Sequence, residues 1–82
     1  MKKQKLFQKL LSDTKNIRFS EIRKCTEIFG FRLDRVNGNH HIFVHPDIPE
    51  LLNLQNVKGQ AKPYQIRQFL QLIEIHNLQI EE

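Results

Sequence analysis

The sequence contains one cysteine and no long apolar segment, and both facts narrow the classes of protein it can belong to. A single thiol, Cys25, cannot form an internal disulfide or supply the paired ligands of a thiolate zinc site, which favours a reducing compartment. The lysine-rich start lacks the apolar core and cleavage site of a secretory signal, and no run approaches the roughly 20 apolar residues of a membrane span. We therefore expect a soluble, cytoplasmic protein with no membrane segment.

A chain of 82 residues has room for one domain with a small core and a shallow functional site. Its charge is unevenly distributed. The first 46 residues carry ten Lys and Arg against four Asp and Glu, whereas the rest carry three against five. A basic front half suits a polyanionic partner such as nucleic acid, although the four lysines of the first nine residues would equally serve to solvate a terminal helix.

The spacing of apolar residues predicts three helices. The first covers 2–12. The second has Ser20 as its N-cap and Glu21 in its first turn, and it ends at Gly30. The last opens with Pro63 at its first helical position and carries apolar residues three and four apart, namely Ile66, Phe69, Leu70 and Ile73.

Alternation with a period of two predicts three strands, over 31–36, 39–45 and 51–56. Phe31 and Leu33 are expected to face the core, and Asn37-Gly38 to form a type I′ turn that pairs the first two strands. The resulting order is helix, helix, strand, strand, strand, helix. This order predicts an α+β domain in which helices cover one face of an antiparallel sheet and leave the other open.

Three of the four histidines lie close together, at His40, His41 and His45, which raises the question of a metal site. In a strand, His40 faces away from the other two, and His41 and His45 are roughly 13 Å apart. Zinc ligands lie about 2 Å from the ion, so this strand alone cannot hold one. A metal site would need His76 or a second chain, and we expect no metal.

The side of the sheet to which Phe43 points predicts different roles for the same histidines. As the bulkiest apolar residue of its strand it should face the helices, together with His41 and His45, which leaves His40 on the open face. An exposed histidine can exchange a proton with a bound substrate, although many such histidines are idle surface. Cleavage of an RNA phosphodiester requires a base, an acid and cations, and one histidine with nearby Lys and Arg can supply much of this set.

The segment from Phe19 to about Leu78 resembles the HicA toxins, the messenger-RNA ribonucleases of bacterial toxin–antitoxin pairs. The resemblance rests on the block GNHHIFVHP (38–46), which is similar to the family's Gly-Ser-His-x-x-Phe-x-His-Pro. It continues through Gly59, Lys62 and the helix bearing Ile66, Arg67 and Leu70.

This resemblance implies a fold like that of a double-stranded-RNA-binding domain over 17–82, preceded by a basic helical extension over 1–16. It implies a type II toxin that cleaves messenger RNA without a metal or other cofactor, with His40 as its single catalytic histidine and His45 in a structural role. The implied antitoxin is a HicB-type protein that covers the same face. The residues expected to contact RNA are Arg35, Asn39, Lys58 and Lys62.

Three features depart from the family pattern. Asn39 stands where Ser or Thr is usual, which affects the hydrogen bonding around His40. The segment 55–62 lacks the family's usual Pro-x-His stretch. The N-terminal helix is additional, and we expect it to act as an RNA clamp, a homodimer contact or an antitoxin contact.

Other interpretations of the sequence stay open. The chain would also suit a non-catalytic double-stranded-RNA-binding module or a domain whose open face meets a partner protein. Lys58 and Lys62 would serve equally as solvated loop residues. Tyr64 can stack on a base or pack against its own sheet.

Overall fold

The computed structural model describes residues 2–81, which form three helices and one sheet. In chain order the elements are α1 (Lys2–Ser12), α2 (Phe19–Ile28), β1 (Arg32–Asn37), β2 (His40–Val44), β3 (Leu52–Gln55) and α3 (Pro63–His76). The sheet is antiparallel with strand order β1-β2-β3, so β2 lies in its centre. This confirms the predicted α+β class, and the order is consistent with a double-stranded-RNA-binding-domain-like fold that has an added N-terminal helix.

The core lies between one face of the sheet and the helices. Phe43 of β2 and Phe69 of α3 are both fully buried. The Phe69 ring meets Phe29 and Phe31 edge-on, with ring centroids 5.9 and 5.7 Å apart. Burying a side chain of this size contributes about 1.5–3 kcal/mol, so packing strongly favours the orientation of β2 in which Phe43 faces the helices.

Helix α1 packs onto this core through part of its apolar stripe. Leu10 is fully buried, and the Phe7 ring lies 4.9 Å from that of Phe29. Leu11 points outward and is 57% exposed. The division between 1–16 and 17–82 stays a prediction. Of the helices in the described range, none combines the length and the apolar character that crossing a membrane requires.

The predicted N-cap of α2 at Ser20 is wrong, because the N-cap is Arg18 and the helix begins at Phe19. Two hydrogen bonds favour this earlier start. The Glu21 carboxylate accepts the backbone N–H of Arg18 at 2.9 Å, and the Gly59 carbonyl accepts the N–H of Phe19, also at 2.9 Å. A loop far away in the sequence therefore helps to set where the chain enters the helix.

Leu33 lies on the side of the sheet that faces the helices, as expected, but it is not buried in the core. Phe31, just before β1, is buried, but Leu33 is 46% exposed. All six residues of β1 are exposed. Leu33 lies opposite Phe43 in the ladder, and the register shifts between Leu33 and Arg35. Because β1 is an irregular edge strand, its side chains on the helical side of the sheet stay in contact with solvent.

The hairpin turn lies one residue later than predicted. Asn37 and His40 are paired, so the two turn residues are Gly38 and Asn39. Gly38 has a φ of +62°, whereas Asn39 is not among the described residues with positive φ. This sign pattern belongs to a type II′ turn, in which glycine occupies the first central position, and not to the predicted type I′ turn.

An ion pair between Lys9 and Glu21 joins α1 to the start of α2. The hydrogen bond from the Lys9 ammonium, followed by the bond from the Arg18 backbone N–H, lowers the pKa of the Glu21 carboxyl below its ordinary value. Such a carboxyl stabilises the fold above its unfolded-state pKa of about 4.3. The stabilisation is lost as the pH falls through the lower, folded-state pKa.

The Glu21→Gln variant keeps an oxygen that can accept the Arg18 N–H and removes the charge that pairs with Lys9. We expect the free energy of unfolding to fall by about 0.5–1.5 kcal/mol at pH 7. This difference from wild type should shrink as the pH falls from about 5 to about 3, because the wild-type carboxyl then becomes neutral. Urea unfolding across this pH range measures the difference.

The matched control is Glu27→Gln, which removes the exposed partner of Arg23 one helical turn away. This variant should lower the free energy of unfolding by about 0.5 kcal/mol or less, as is usual for exposed ion pairs within a helix. If Glu21→Gln lowers the free energy of unfolding by the same amount at pH 7 and near pH 3, the assigned ion pair is contradicted.

Candidate functional site

The strand register determines which side chains share the open face of the sheet. His40 lies opposite Asn37 of β1 and Gln55 of β3, and Ile42 lies opposite Arg35 and Asn53. Directly opposed residues point to the same side of a sheet. Phe43, one position along from Ile42, points to the helices, so the open face carries Arg32, Arg35, Asn37, His40, Ile42, Val44, Asn53 and Gln55. The predicted orientation of His40 is confirmed.

His40 is half-buried, and a neighbouring side chain holds its ring. Its Nδ1 lies 3.1 Å from Oδ1 of Asn53. Because an amide oxygen can only accept, Nδ1 carries the proton and donates. In the neutral ring the lone pair then resides on Nε2, which is the basic nitrogen that could take a proton from a substrate.

His45 has both ring nitrogens committed to the backbone. It is only 7% exposed. Its Nδ1 accepts the N–H of Asp47 at 3.0 Å, so Nε2 carries the proton and donates to the Phe29 carbonyl at 2.9 Å. The close packing extends to Gly30 at the end of α2, where a Cβ atom would lie 3.0 Å from His45 Nε2. These contacts give His45 a structural role in joining β2 to the end of α2.

His41 lies on the helical side of the sheet, as predicted. Its ring packs against Phe19 with centroids 4.5 Å apart, and its Nδ1–H donates to the carbonyl of Asn39 at 3.2 Å. The same carbonyl accepts the N–H of Asn56 at 3.0 Å. Within residues 2–81 the Asn39 side chain makes no hydrogen bond to His40, so the ring is oriented from β3 and not from the turn.

Other reactive side chains lie away from the open face. Cys25 is buried in the core, and burial raises the pKa of its thiol to about 12, which keeps it protonated and inert at neutral pH. His76, at the end of α3, contacts the Glu50 carboxylate at 3.0 Å. In the described part of the chain, no three His, Cys, Asp or Glu side chains are grouped so that they could hold a metal ion.

Two arginines of β1 bring positive charge to the open face. Arg35 was predicted as an RNA contact, and its guanidinium lies 2.8 Å from the carboxylate of Asp34. Both side chains are exposed, so this ion pair contributes little to the stability of the fold. Arg32, which the sequence interpretation left out, lies opposite Val44 on the same face.

Lys58 lies in the loop that follows β3, close to the hairpin turn. The Asn56 N–H donates to the Asn39 carbonyl, and the Asn56 side chain accepts the N–H of Gly59 at 2.8 Å. Lys58 itself is exposed, with a φ of +54°. The loop is thus hydrogen-bonded to the start of β2, the strand that carries His40.

Lys62 and Tyr64 lie at the other edge of the sheet, at the start of α3. The Lys62 ammonium is 5.9 Å from the centre of the Tyr64 ring. Tyr64 is 48% exposed, and its hydroxyl lies 3.5 Å from Oε1 of Gln55, the residue opposite His40. The ring therefore keeps an accessible surface and is not packed into the core.

Asn53 is the site residue that the sequence interpretation missed. Its alternation with Leu52 and Leu54 already indicates the open face. What the pattern does not reveal is the register of β3 against β2, which brings Asn53 within hydrogen-bonding distance of His40.

The site lies entirely within the part of the chain that resembles a known family. The family described as "HicA toxin of bacterial toxin-antitoxin" matches residues 19–75. This range begins at the first residue of α2 and includes His40, Arg35, Asn39, Lys58 and Lys62. No curated protein and no solved structure matches the chain significantly.

The different surroundings of two histidines predict different effects on stability. His45→Ala leaves the Phe29 carbonyl and the Asp47 N–H without partners and opens a cavity, so we expect the free energy of unfolding to fall by about 2–4 kcal/mol. Because His40 lies on the open face, His40→Ala should lower the free energy of unfolding by about 1 kcal/mol or less. Urea unfolding of the two variants checks this. An equal or larger loss for His40→Ala would contradict the assigned roles.

Proposed function

Because this chain belongs to the HicA toxins of bacterial toxin–antitoxin systems, we propose that it is an endoribonuclease that cleaves messenger RNA with His40 as its single catalytic histidine. The observation that carries the proposal is the state of the His40 ring. Asn53 holds one ring nitrogen, and no group of the described residues 2–81 is hydrogen-bonded to the other, which lies on the open face.

The proposed reaction is a transfer within the RNA backbone. The lone pair on His40 Nε2 takes the proton of a ribose 2′-hydroxyl, and the 2′-oxygen attacks the adjacent phosphorus. A bond forms between phosphorus and the 2′-oxygen, and the bond to the 5′-oxygen of the next nucleotide breaks. The 5′-oxygen takes a proton from the imidazolium or from water, and the products end in a 2′,3′-cyclic phosphate and a 5′-hydroxyl. Because these steps are proton transfers assisted by cationic side chains, we propose that they require no metal.

The proposed RNA path crosses the open face from β1 towards the start of α3. Arg35 would contact phosphates at one edge, Asn39 and Lys58 beside the hairpin turn, and Lys62 at the other edge. Guanidinium and ammonium groups near the phosphorus would also stabilise the negative charge that develops on its oxygens. Support for this path comes from the exposure of Arg35, Asn39 and Lys58 and from the position of Arg35 on the same face as His40. Lys62 is half-buried at the start of α3.

Membership in the family implies an antitoxin partner. We propose that it is a HicB-type protein of a type II system, which would block cleavage in the cytoplasm by covering the open face. The roles predicted for α1, as an RNA clamp, a homodimer contact or an antitoxin contact, stay predictions. The exposed Leu11 is the side chain through which α1 could make such a contact.

The decisive variant is His40→Ala, assayed on a long single-stranded RNA in the presence of a chelator. Wild-type protein should cleave the RNA, and His40→Ala should cleave about 10²- to 10⁴-fold more slowly because the general base is gone. Its affinity for RNA should stay within about twofold, since phosphate contacts dominate binding. The matched control is His76→Ala, which removes a histidine on α3 that contacts Glu50 and should leave the cleavage rate unchanged.

Three outcomes would overturn the proposal or a part of it. Cleavage by His40→Ala at the wild-type rate would remove His40 from the reaction. Wild-type protein that binds RNA in a salt-dependent manner without cutting it would favour a non-catalytic RNA-binding module. Cleavage that stops on addition of chelator would refute the metal-independent step.

A further inference from the structure

We infer that Asn53 is a positioning residue for His40, whose side-chain carbonyl holds the imidazole in the tautomer that leaves the lone pair on Nε2. The inference rests on the proposed ribonuclease function and adds to it the group that orients its base. It concerns the bond between Oδ1 of Asn53 and Nδ1 of His40, at 3.1 Å.

The two residues are held in place by the sheet itself. Asn53 lies opposite Ile42 and His40 lies opposite Gln55, so the pair is a diagonal contact between adjacent strands. On either side of Asn53, Leu52 and Leu54 are each 1% exposed and anchor β3 in the core. A contact built from two strands is positioned more rigidly than one that depends on a loop.

No other contact accounts for an asparagine at this position. Asn is disfavoured within strands, and Asn53 is half-buried. In residues 2–81 the only hydrogen bond that its side chain makes is the one to His40. Asn37, which lies directly across from His40 on β1, makes no such bond among these residues.

The hydrogen bond changes which nitrogen is available for chemistry. A free imidazole in water keeps its proton mainly on the nitrogen that corresponds to Nε2, whereas a partner that accepts from Nδ1 favours the opposite tautomer. Without Asn53, the lone pair of His40 would therefore reside mainly on Nδ1, which faces the sheet. With Asn53, it lies on Nε2.

An amide suits this task better than a carboxylate. It accepts a hydrogen bond without adding charge, so it orients the ring while favouring the imidazolium less than an anion would. A carboxylate at position 53 would accept the same bond and also stabilise the protonated ring. The difference between the two groups provides a test that a merely structural residue would not pass.

The test combines nitrogen NMR of the free protein with single-turnover cleavage of RNA, using Asn53→Ala, Asn53→Asp and, as matched control, Asn37→Ala. In wild type and in Asn37→Ala, the neutral His40 ring should carry its proton on Nδ1. In Asn53→Ala the proton should shift mainly to Nε2. The Asn53→Ala cleavage rate should fall about 10- to 100-fold with unchanged RNA affinity.

Asn53→Asp has nearly the same shape and should keep the tautomer of the wild type. Its pH–rate profile should have its acidic limb at higher pH, because the carboxylate holds the ring in the charged form. Thermal unfolding of each variant verifies that it folds.

Failure of this inference and failure of the proposed function are distinguishable. A wild-type ring protonated on Nε2 overturns the role of Asn53 whether or not RNA is cleaved. The role is also overturned if cleavage requires His40 but Asn53→Ala cuts at the wild-type rate. If His40→Ala cleaves normally, the proposed function is wrong, and the tautomers of wild type and Asn53→Ala still test the contact in the free protein.

Discussion

The burial of Phe43 in the central strand is the interaction on which the candidate site depends. Its ring is fully enclosed between the sheet and the helices. Because neighbouring side chains of a strand alternate, a slip of one residue would expose Phe43 and turn His40 into the core. Losing the burial of such a ring would lower the free energy of unfolding by about 1.5–3 kcal/mol. The same packing that stabilises the domain therefore also places His40 on the open face.

Three histidines within six residues acquire three different environments from this alternation. The ring of His45 is bonded at both nitrogens and joins β2 to the end of α2. His41 packs against Phe19 beside the helices. His40 is the one that lies on the open face, where Asn53 holds its Nδ1 and no group of residues 2–81 is hydrogen-bonded to its Nε2. Residue type is therefore a poor guide to the role of each histidine. The face of the sheet on which the ring lies, together with the partners of its nitrogens, distinguishes the three.

Local periodicity was sufficient to predict the order of the elements and the face of His40, because both depend on alternation within single segments. The features that were missed depend on contacts between distant segments. The start of α2 at Phe19 depends on a hydrogen bond from the Phe19 N–H to the carbonyl of Gly59. The exposure of Leu33 depends on the edge position of β1. The pairing of Asn53 with His40 depends on the register between β2 and β3, which is set across the connection from His45 to Leu51.

The central claim is that RNA meets this protein on the face that Phe43 leaves open. It is tested most directly by mapping amide chemical shifts as an RNA oligonucleotide is added, with 2′-O-methyl groups on every ribose to prevent cleavage. The account predicts that the largest shifts cluster around His40, Arg35 and Asn53, and that they weaken with added salt. Shifts confined to α1, α2 and the outer side of α3, with the open face unchanged, would contradict it.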